Sequence, residues 1–204
     1  MERFALLFDV LPFAATGFGI PQYLPQITKL RRTRDPAGVS WSWATLTCVN
    51  NAAWFAYFAS SGYWTALVPS SAATLLAATV AVLLTRLGRA GRRPAAGVGA
   101  WTVVLAGAVV VAGIPGLGTV LTAASIIQVT PSIVTAYRTR RPTGVSVGTW
   151  LLVLGEVSCW TMYGHYRSDP RLIALGITGI TASLLMLARV QYTTKRGYRP
   201  LPSE

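Results

Sequence analysis

The sequence predicts an all-α, polytopic membrane protein with seven transmembrane helices, on the strength of three observations. Of its 204 residues, 52% are apolar and only 12% are charged, whereas soluble domains usually carry about 25% charged residues. The mean hydropathy is +0.49. The apolar residues form runs of roughly 20, the length needed to cross a bilayer, and the basic residues lie in short clusters between these runs.

A sequence repeat orders these spans. The stretch 25–40 recurs 106 residues later as 131–146, and each copy holds a proline, then basic residues, then Gly-Val-Ser. Matches of proline, tryptophan and glycine in one register indicate a tandem duplication, which decides the fold before any other feature does. Without a gap, the same offset pairs Gln22 with Gln128, Trp54 with Trp160 and Tyr57 with Tyr163.

The predicted spans divide into two triplets and a linking helix. The first triplet covers about 4–30, 41–61 and 64–85, and the second about 117–137, 146–166 and 170–191. The span 97–115 has no counterpart in either copy. Because three spans leave the chain on the opposite side of the membrane, a second copy inserts in the same orientation only after one further span.

The resulting prediction is a 3+1+3 plan with parallel repeats, as in carriers whose halves are related by an axis along the membrane normal. Three units follow from it. Residues 1–93 form the first repeat with a linker loop, 94–115 the linking helix, and 116–204 the second repeat with a cytoplasmic tail. One chain thus holds both repeats, so a homo-oligomer is compatible with the plan but not required by it.

The basic residues predict the orientation in the membrane. Of the 18 Lys and Arg residues, fifteen fall on one face of the seven-span plan, and only Arg3, Arg167 and Arg171 fall on the other. This bias predicts an outside N-terminus and a cytoplasmic C-terminus, and we expect the plasma membrane as the location. The net charge of +12 is thereby assigned to loops at the bilayer surface, and no nucleic-acid partner is predicted.

The repeated motifs resemble those of the PQ-loop superfamily. They are Pro25-Gln26 and Pro131, two Gly-Val-Ser sequences, and the Trp-x-x-Tyr pairs that begin at Trp54 and Trp160. The plan is most similar to that of the SWEET sugar facilitators and the single-repeat SemiSWEETs, which implies facilitative sugar transport by alternating access. Cystinosin-like exporters and the KDEL receptor share the architecture with other ligands. A proton-coupled carrier of an amino acid or other polar metabolite, and a non-transporting receptor or scaffold, therefore remain alternatives.

Two tryptophans deep in spans two and six mark a candidate substrate site. A pair of facing indoles, Trp54 and Trp160, could sandwich a flat or ring-shaped ligand, and the resemblance implies that these tryptophans line a sugar pocket. In the family an asparagine sixteen positions further on also contacts the sugar. Here those positions hold Ser70 and Gly176, so two amides of the family's pocket are missing. We still predict that Ser70 and Gly176 contact the substrate, together with Asn50, Asn51 and Glu156.

Glu156 is an ionisable residue inside the apolar run 151–162, and its counterpart in the first repeat is Asn50, followed by Asn51. Such a residue within a membrane span is a functional-site hypothesis by default. Three roles are open for it. It could carry a coupling proton, bind a cationic or amine-bearing substrate, or hydrogen-bond Asn50, Asn51 or Gln128 as a contact between helices.

Pro25 and Pro131 lie near the cytoplasmic ends of spans one and five. A proline within a helix removes a backbone hydrogen bond and kinks the helix, so the matched pair predicts two hinges or gates. Gln22 and Gln128, one turn earlier, are expected to bond backbone groups that the prolines leave free. Gln26 completes the first motif, whereas the second has Ser132 in its place.

The remaining polar residues do not predict catalysis. The chain has one histidine and six acids scattered along its length, and Cys48 and Cys159 lie in apolar spans without metal-ligand spacing. We therefore expect no enzyme activity, no metal and no cofactor. His165, Arg167 and Asp169 are predicted to lie at the outer rim of spans six and seven. The expected partners are a small polar solute and the lipid bilayer.

Overall fold

The computed structural model describes residues 8–36, 39–138 and 146–195, and over these ranges the chain is helical, with no strand. The prediction of an all-α fold is confirmed. The described part contains six α-helices and one short 3-10 turn, Trp64–Ala66. The α-helices are α1 (Leu11–Thr33), α2 (Trp41–Ser60), α3 (Leu67–Arg86), α4 (Arg92–Arg138), α5 (Val147–Tyr166) and α6 (Pro170–Lys195).

Helix α4 is interrupted at Gly113, where φ is 65° and ψ is −162°. This backbone conformation is open to glycine because it has no Cβ. The break separates an arm at 92–112, called α4a, from an arm at 114–138, called α4b. The arms fold back on each other, since Trp101 of α4a and Ala124 of α4b line the same pocket. The break lies where the linking span was predicted to end.

Three helices in the described part are long and apolar enough to cross a membrane: Trp64–Arg86, Arg92–Thr130 and Pro170–Thr193. Helices α1, α2 and α5 have 23, 20 and 20 residues, which is also long enough, but polar side chains lower their hydropathy. The surface of α4a carries large exposed apolar side chains. Val103 is 71% exposed, Val110 84% and Val111 87%.

The observed helix bounds correct the predicted spans at two places. Helix α1 continues beyond residue 30 to Thr33, so Arg31 and Arg32 belong to its last turn rather than to a loop. Helix α6 likewise continues beyond residue 191 to Lys195. Basic residues in a last turn are favourable because they offset the partial negative charge at the carboxyl end of a helix. The predictions on Arg3, on 140–145 and on the tail after 195 lie outside the described residues.

Helices α2 and α5 start in the same way. Each is 20 residues long, and α5 begins 106 residues after α2. The side chain of Ser40 accepts a hydrogen bond from the Trp43 amide, and that of Ser146 accepts one from the Thr149 amide. Serine is among the preferred N-cap residues because its oxygen satisfies an otherwise unpaired amide of the first turn. The repeated Val-Ser sequence thus sets the start of both helices.

The helices pack in two similar groups. In the first half of the chain, α3 packs against both α1 and α2, and in the second half α6 packs against both α4 and α5. The halves meet where α1 contacts α5 and where α2 contacts α4. An aromatic core fills part of this interface, formed by Trp54, Tyr57, Phe58, Trp160 and Tyr163. A cavity lies beside it.

Candidate functional site

A cavity of about 260 Å³ lies between the two halves of the chain, and its wall comes from α1, α2, α3, α4b, α5 and α6. Most of the predicted site residues line it, although they are spread over more than 130 positions of sequence. The wall includes Gln22, Asn50, Asn51, Trp54, Ser70, Gln128, Glu156 and Trp160.

Positions related by the repeat line the same cavity. Six pairs of lining residues are 106 positions apart: Gln22 and Gln128, Thr47 and Val153, Asn50 and Glu156, Asn51 and Val157, Trp54 and Trp160, and Pro69 and Leu175. The two walls differ in chemistry. Thr47 and Asn51 of α2 have valines as their counterparts on α5, and Asn50 has Glu156. Any ligand in the cavity therefore meets an asymmetric site.

Glu156 is bound to the other half of the chain through Gln22. The Gln22 Nε2 atom donates a hydrogen bond of 2.8 Å to Glu156 Oε2, and it also lies 3.3 Å from the Phe18 carbonyl oxygen. The carboxylate lies against α1 at Gly19, where a Cβ would come within 3.2 Å of Glu156 Oε1. The bonding partners expected for Glu156 were therefore wrong, because its carboxylate bonds to Gln22 of α1 rather than to Asn50, Asn51 or Gln128.

The two asparagines of α2 have different partners. Asn50 Oδ1 accepts a hydrogen bond of 2.7 Å from Trp101 Nε1, so the first arm of α4 contacts the wall of the cavity. Asn51 Nδ2 donates to the carbonyl of Thr47 in its own helix at 2.9 Å. Ser70 is 3% exposed, and its hydroxyl donates to the Ala66 carbonyl at 2.9 Å. Of these three, Asn50 connects the site to another part of the fold.

The two tryptophans do not face each other directly. The Phe58 ring stacks on Trp54, with centroids 5.5 Å apart, and on Trp160, with centroids 5.3 Å apart and planes at 9°. The predicted indole sandwich is therefore occupied by a side chain of the protein itself. Sequence reasoning missed Phe58, although its position one turn after Trp54 places it on the same face of α2.

A buried polar cluster closes one end of the interface, beside the connection between α5 and α6. The Tyr57 hydroxyl donates to Asp169 Oδ2 at 2.5 Å, and the Arg171 amide donates to Asp169 Oδ1 at 3.0 Å. Asp169 lies between α5 and α6, at the ends of the two predicted spans, but it is only 3% exposed. A buried carboxylate requires such donors because its desolvation is costly.

Arg167 makes a second link between the halves at this end. Its Nη2 atom donates to the Gly62 carbonyl at 2.8 Å, and its guanidinium lies 4.4 Å from the centre of the Tyr63 ring. Burial, and secondarily the nearby Asp169 carboxylate, raises the pKa of Tyr63, which lies in the connection after α2. The phenol thus stays neutral and offers its ring face to the cation.

Gly176 does not line the cavity. A Cβ at this position would lie 1.9 Å from Thr161 Oγ1 and 2.9 Å from Thr161 Cα. The glycine allows α6 to pack closely on α5, as small residues do between membrane helices. The prediction of a substrate contact at Gly176 was therefore wrong.

Pro25 lies within the continuous helix α1 and does not line the cavity, whereas Gln22 and Gln128, which were predicted to assist the hinges, do line it. Helix α1 contains Pro25 and, one turn earlier, Pro21, whose position sequence reasoning did not use. The buried Oε1 atom of Gln26 has no hydrogen-bond partner within the described residues. Pro131 lies within α4b, but its side chain is outside the described part of the chain.

The described residues hold no group of three or more His, Cys, Asp or Glu side chains that could bind a metal ion. Cys48 and Cys159 are not joined by a disulfide. In comparisons with known proteins, no family model matches the chain, and no curated protein matches it. Any inference about function therefore depends on the cavity and its surroundings.

Proposed function

We propose that this chain is a multi-pass carrier that moves a small polar solute across a membrane by alternating access, and that it is built on the PQ-loop plan of the SWEET facilitators. The observation that carries the proposal is a cavity between the two halves that is lined by six pairs of repeat-related residues. A site at the interface between two repeats, in the middle of the membrane, is typical of secondary carriers.

The proposal places seven spans in a 3+1+3 order with parallel repeats. The fold-back at Gly113 lets the two arms of α4 cross the bilayer separately. Helices α1, α2 and α5 supply polar side chains to the cavity wall, and these side chains lower the mean hydropathy of the three helices. In this arrangement 15 of the 18 basic residues lie on one side. The positive-inside rule then gives an outside N-terminus and a cytoplasmic C-terminus in the plasma membrane.

The outer end of the interface supports a gate. The Tyr57–Asp169 and Arg167–Gly62 hydrogen bonds both join the first half of the chain to the second. Opening a path from the cavity to the outside would require both links to break as the halves move apart. Pro25 in α1 and Pro131 in α4b would serve as the flexible points, since a helix is weakened where proline removes a backbone bond.

A neutral polyhydroxy solute, such as a sugar, is the first candidate substrate. Amide side chains of Gln22, Asn50 and Gln128 line the cavity beside the aromatic rings of Trp54 and Trp160. Such a combination of apolar faces and a few polar groups is usual for sites that bind small molecules. At about 260 Å³, the cavity is slightly smaller than the roughly 300–1,000 Å³ of common ligand pockets, so the solute should be small.

A proton-coupled carrier of an amino acid or another polar metabolite is the second candidate, and Glu156 favours it. Glu156 is the only acidic residue among those that line the cavity in the described part of the chain. Carboxylates within membrane spans commonly mark proton relays and ion pathways. The Gln22–Glu156 bond joins the two halves. A change in the protonation of Glu156 would therefore act on the interface between the halves, which must move in alternating access.

Uptake into proteoliposomes tests the proposal. Labelled sugars and amino acids would be offered with and without an inward proton gradient, to the wild type, to Trp54→Ala in the cavity and to Trp43→Ala outside it. Saturable uptake that only Trp54→Ala abolishes supports a carrier. Sugar uptake indifferent to the gradient selects the first candidate, and gradient-driven accumulation selects the second. No uptake of any solute would contradict the proposal and favour a receptor or scaffold.

A further inference from the structure

A second pocket, of about 360 Å³, lies on the side of the molecule between α2 and the two arms of α4. We call it the lateral pocket. Its wall is almost entirely apolar and includes Leu46, Gly97, Val98, Trp101, Ala124 and Ile127. This chemistry suits a hydrocarbon chain rather than a polar solute, because such a wall offers little to replace the hydrogen bonds of water.

The lateral pocket opens toward the surface that a bilayer would cover. Ile127 forms part of its wall and is 70% exposed. A Cβ at Gly97 would meet no atom within 4 Å, so the space in front of this glycine is empty. Both residues belong to the segment Arg92–Thr130, which is long and apolar enough to cross a membrane. Lipid acyl chains are therefore the solvent at the mouth of this pocket.

Positive charge lies at one end of the lateral pocket. Pro94 contributes to its wall, and the two residues before it, Arg92 and Arg93, are exposed. Arg86 and Arg89 precede them, and no acidic residue occurs in the sequence between positions 35 and 156. Exposed arginines attract anionic lipid headgroups at a membrane surface.

We propose that the lateral pocket binds one acyl chain of an anionic phospholipid whose phosphate is held by Arg92 and Arg93. The apolar wall accounts for the chain, and the two arginines account for the charge of the headgroup. The position also fits this assignment, because the pocket runs along the first turns of α4, from Pro94 beside the arginines to Trp101.

This lipid would lie against the central cavity. Asn50 and Gln128 line both the lateral pocket and the cavity, and the Trp101–Asn50 hydrogen bond of 2.7 Å lies in the wall between them. An acyl chain packed on Trp101 would hold the indole toward Asn50. This regulatory consequence rests on the proposed carrier function, whereas lipid binding itself does not.

Native mass spectrometry of the full chain in detergent tests the binding. Dioleoylphosphatidylglycerol and dioleoylphosphatidylcholine would be titrated against the wild type and four variants. Gly97→Leu fills the empty space in the pocket, and Gly99→Leu is its control, because Gly99 also has open space around it but does not line the pocket. Arg92→Gln/Arg93→Gln removes the charge beside the pocket, and Arg86→Gln/Arg89→Gln removes an equal charge at the end of α3 and in the connection after it.

We expect the wild type to prefer phosphatidylglycerol, with each of the two arginines contributing about fivefold in affinity. Gly97→Leu should weaken binding of the first lipid about tenfold or more, while Gly99→Leu leaves it unchanged. Arg92→Gln/Arg93→Gln should remove most of the preference for phosphatidylglycerol, and the control pair should retain it. This readout is independent of uptake, so its failure is distinguishable from failure of the carrier proposal.

Three results would overturn the inference. The first is equal lipid binding by Gly97→Leu and wild type. The second is equal affinity of the wild type for the two lipids. The third is a dimer peak that Gly97→Leu abolishes while the lipid peaks stay unchanged, because the lateral pocket would then be covered by a second copy of the chain.

Discussion

The side chain of Gln22 donates a hydrogen bond of 2.8 Å to the carboxylate of Glu156, 134 positions away in the other half of the chain. Both residues line the central cavity. If the two halves separate in alternating access, this bond must break. The protonation of Glu156 and the separation of the halves would then depend on each other.

Glu156→Gln tests whether the acid carries a coupling proton. The variant keeps the shape and hydrogen-bonding capacity of the side chain but cannot release a proton. Uptake driven by an inward proton gradient should be lost, while gradient-independent uptake of a neutral solute persists. The measurement is proteoliposome uptake at several values of the pH difference. If the wild type and the variant share the same dependence on that difference, Glu156 has no coupling role.

Gln22→Leu tests the structural contribution of the same hydrogen bond. Hydrogen bonds between side chains of membrane helices contribute about 0.6 kcal/mol on average and up to about 1.7 kcal/mol. We expect a loss of this size in the free energy of unfolding, measured by denaturant titration in mixed micelles. The double variant Gln22→Leu/Glu156→Leu should recover part of it, because no polar group is then left without a partner. Additive effects of the two single changes would show that the bond is not formed.

The sequence predicted those features of the fold that are shared by positions 106 residues apart in the two repeats. The 106-residue offset relates Asn50 to Glu156 and Trp54 to Trp160, and each of these pairs lines the cavity. The same offset predicts the common start of α2 and α5 after serine. Hydropathy and charge clusters predicted the positions of the helices. A run of about 20 apolar residues bounded by arginines is typical of a helix that crosses a membrane.

The contacts between non-equivalent helices could not be predicted. The offset does not say that α1 packs on α5, and so it missed the Gln22–Glu156 bond. Nor does it say that Phe58 fills the space between Trp54 and Trp160, since its counterpart in the second half is a glycine. The burial of Asp169 depends on Tyr57 reaching it from the other half, which requires the three-dimensional structure.

Tyr57→Phe tests the outer gate. The change removes only the hydroxyl that donates to the buried Asp169 carboxylate, and it leaves that charge short of a donor. We expect the outer end to open more often, which should increase labelling of a cysteine placed at Ser70 by an impermeant maleimide added outside. Cys48 and Cys159 would first be replaced by alanine.

Tyr137→Phe is the matched control for this experiment. Its hydroxyl donates to the Leu185 carbonyl within the second half of the chain, so its loss should not affect a contact between the halves. Several-fold faster labelling in Tyr57→Phe alone is the expected result. Equal labelling of the two variants, at the wild-type rate, would mean that the Tyr57–Asp169 bond does not control access.

Gly176→Ala tests the assignment of this glycine to packing. The added methyl would overlap Thr161, including its Cα, so relief requires α5 and α6 to separate. Overpacking of this kind commonly costs about 1–3 kcal/mol, and we expect a clear fall in the thermal unfolding midpoint. Gly17→Ala is the control, because nothing lies within 4 Å of a Cβ there. Unchanged stability with weaker solute binding would instead restore Gly176 to the substrate site.

Trp101→Phe tests whether the first arm of α4 positions the cavity wall. The phenyl ring keeps most of the apolar bulk but removes the indole donor to Asn50 Oδ1. Without this donor the Asn50 amide loses its fixed orientation toward the solute. Since one hydrogen bond contributes about 0.5–1.5 kcal/mol, we expect the KM for uptake to rise by about two- to tenfold. The maximal rate should stay unchanged, because no gate is altered.

Trp41→Phe separates this effect from the general loss of an indole donor. The Trp41 Nε1 atom donates to Thr85 Oγ1 at 2.8 Å within the first half of the chain, and neither residue lines the cavity. A merely structural contribution of Trp101 would lower the amount of folded protein in both variants and leave KM alone. A rise in KM confined to Trp101→Phe would show that a helix outside the two repeats sets the affinity of the site between them.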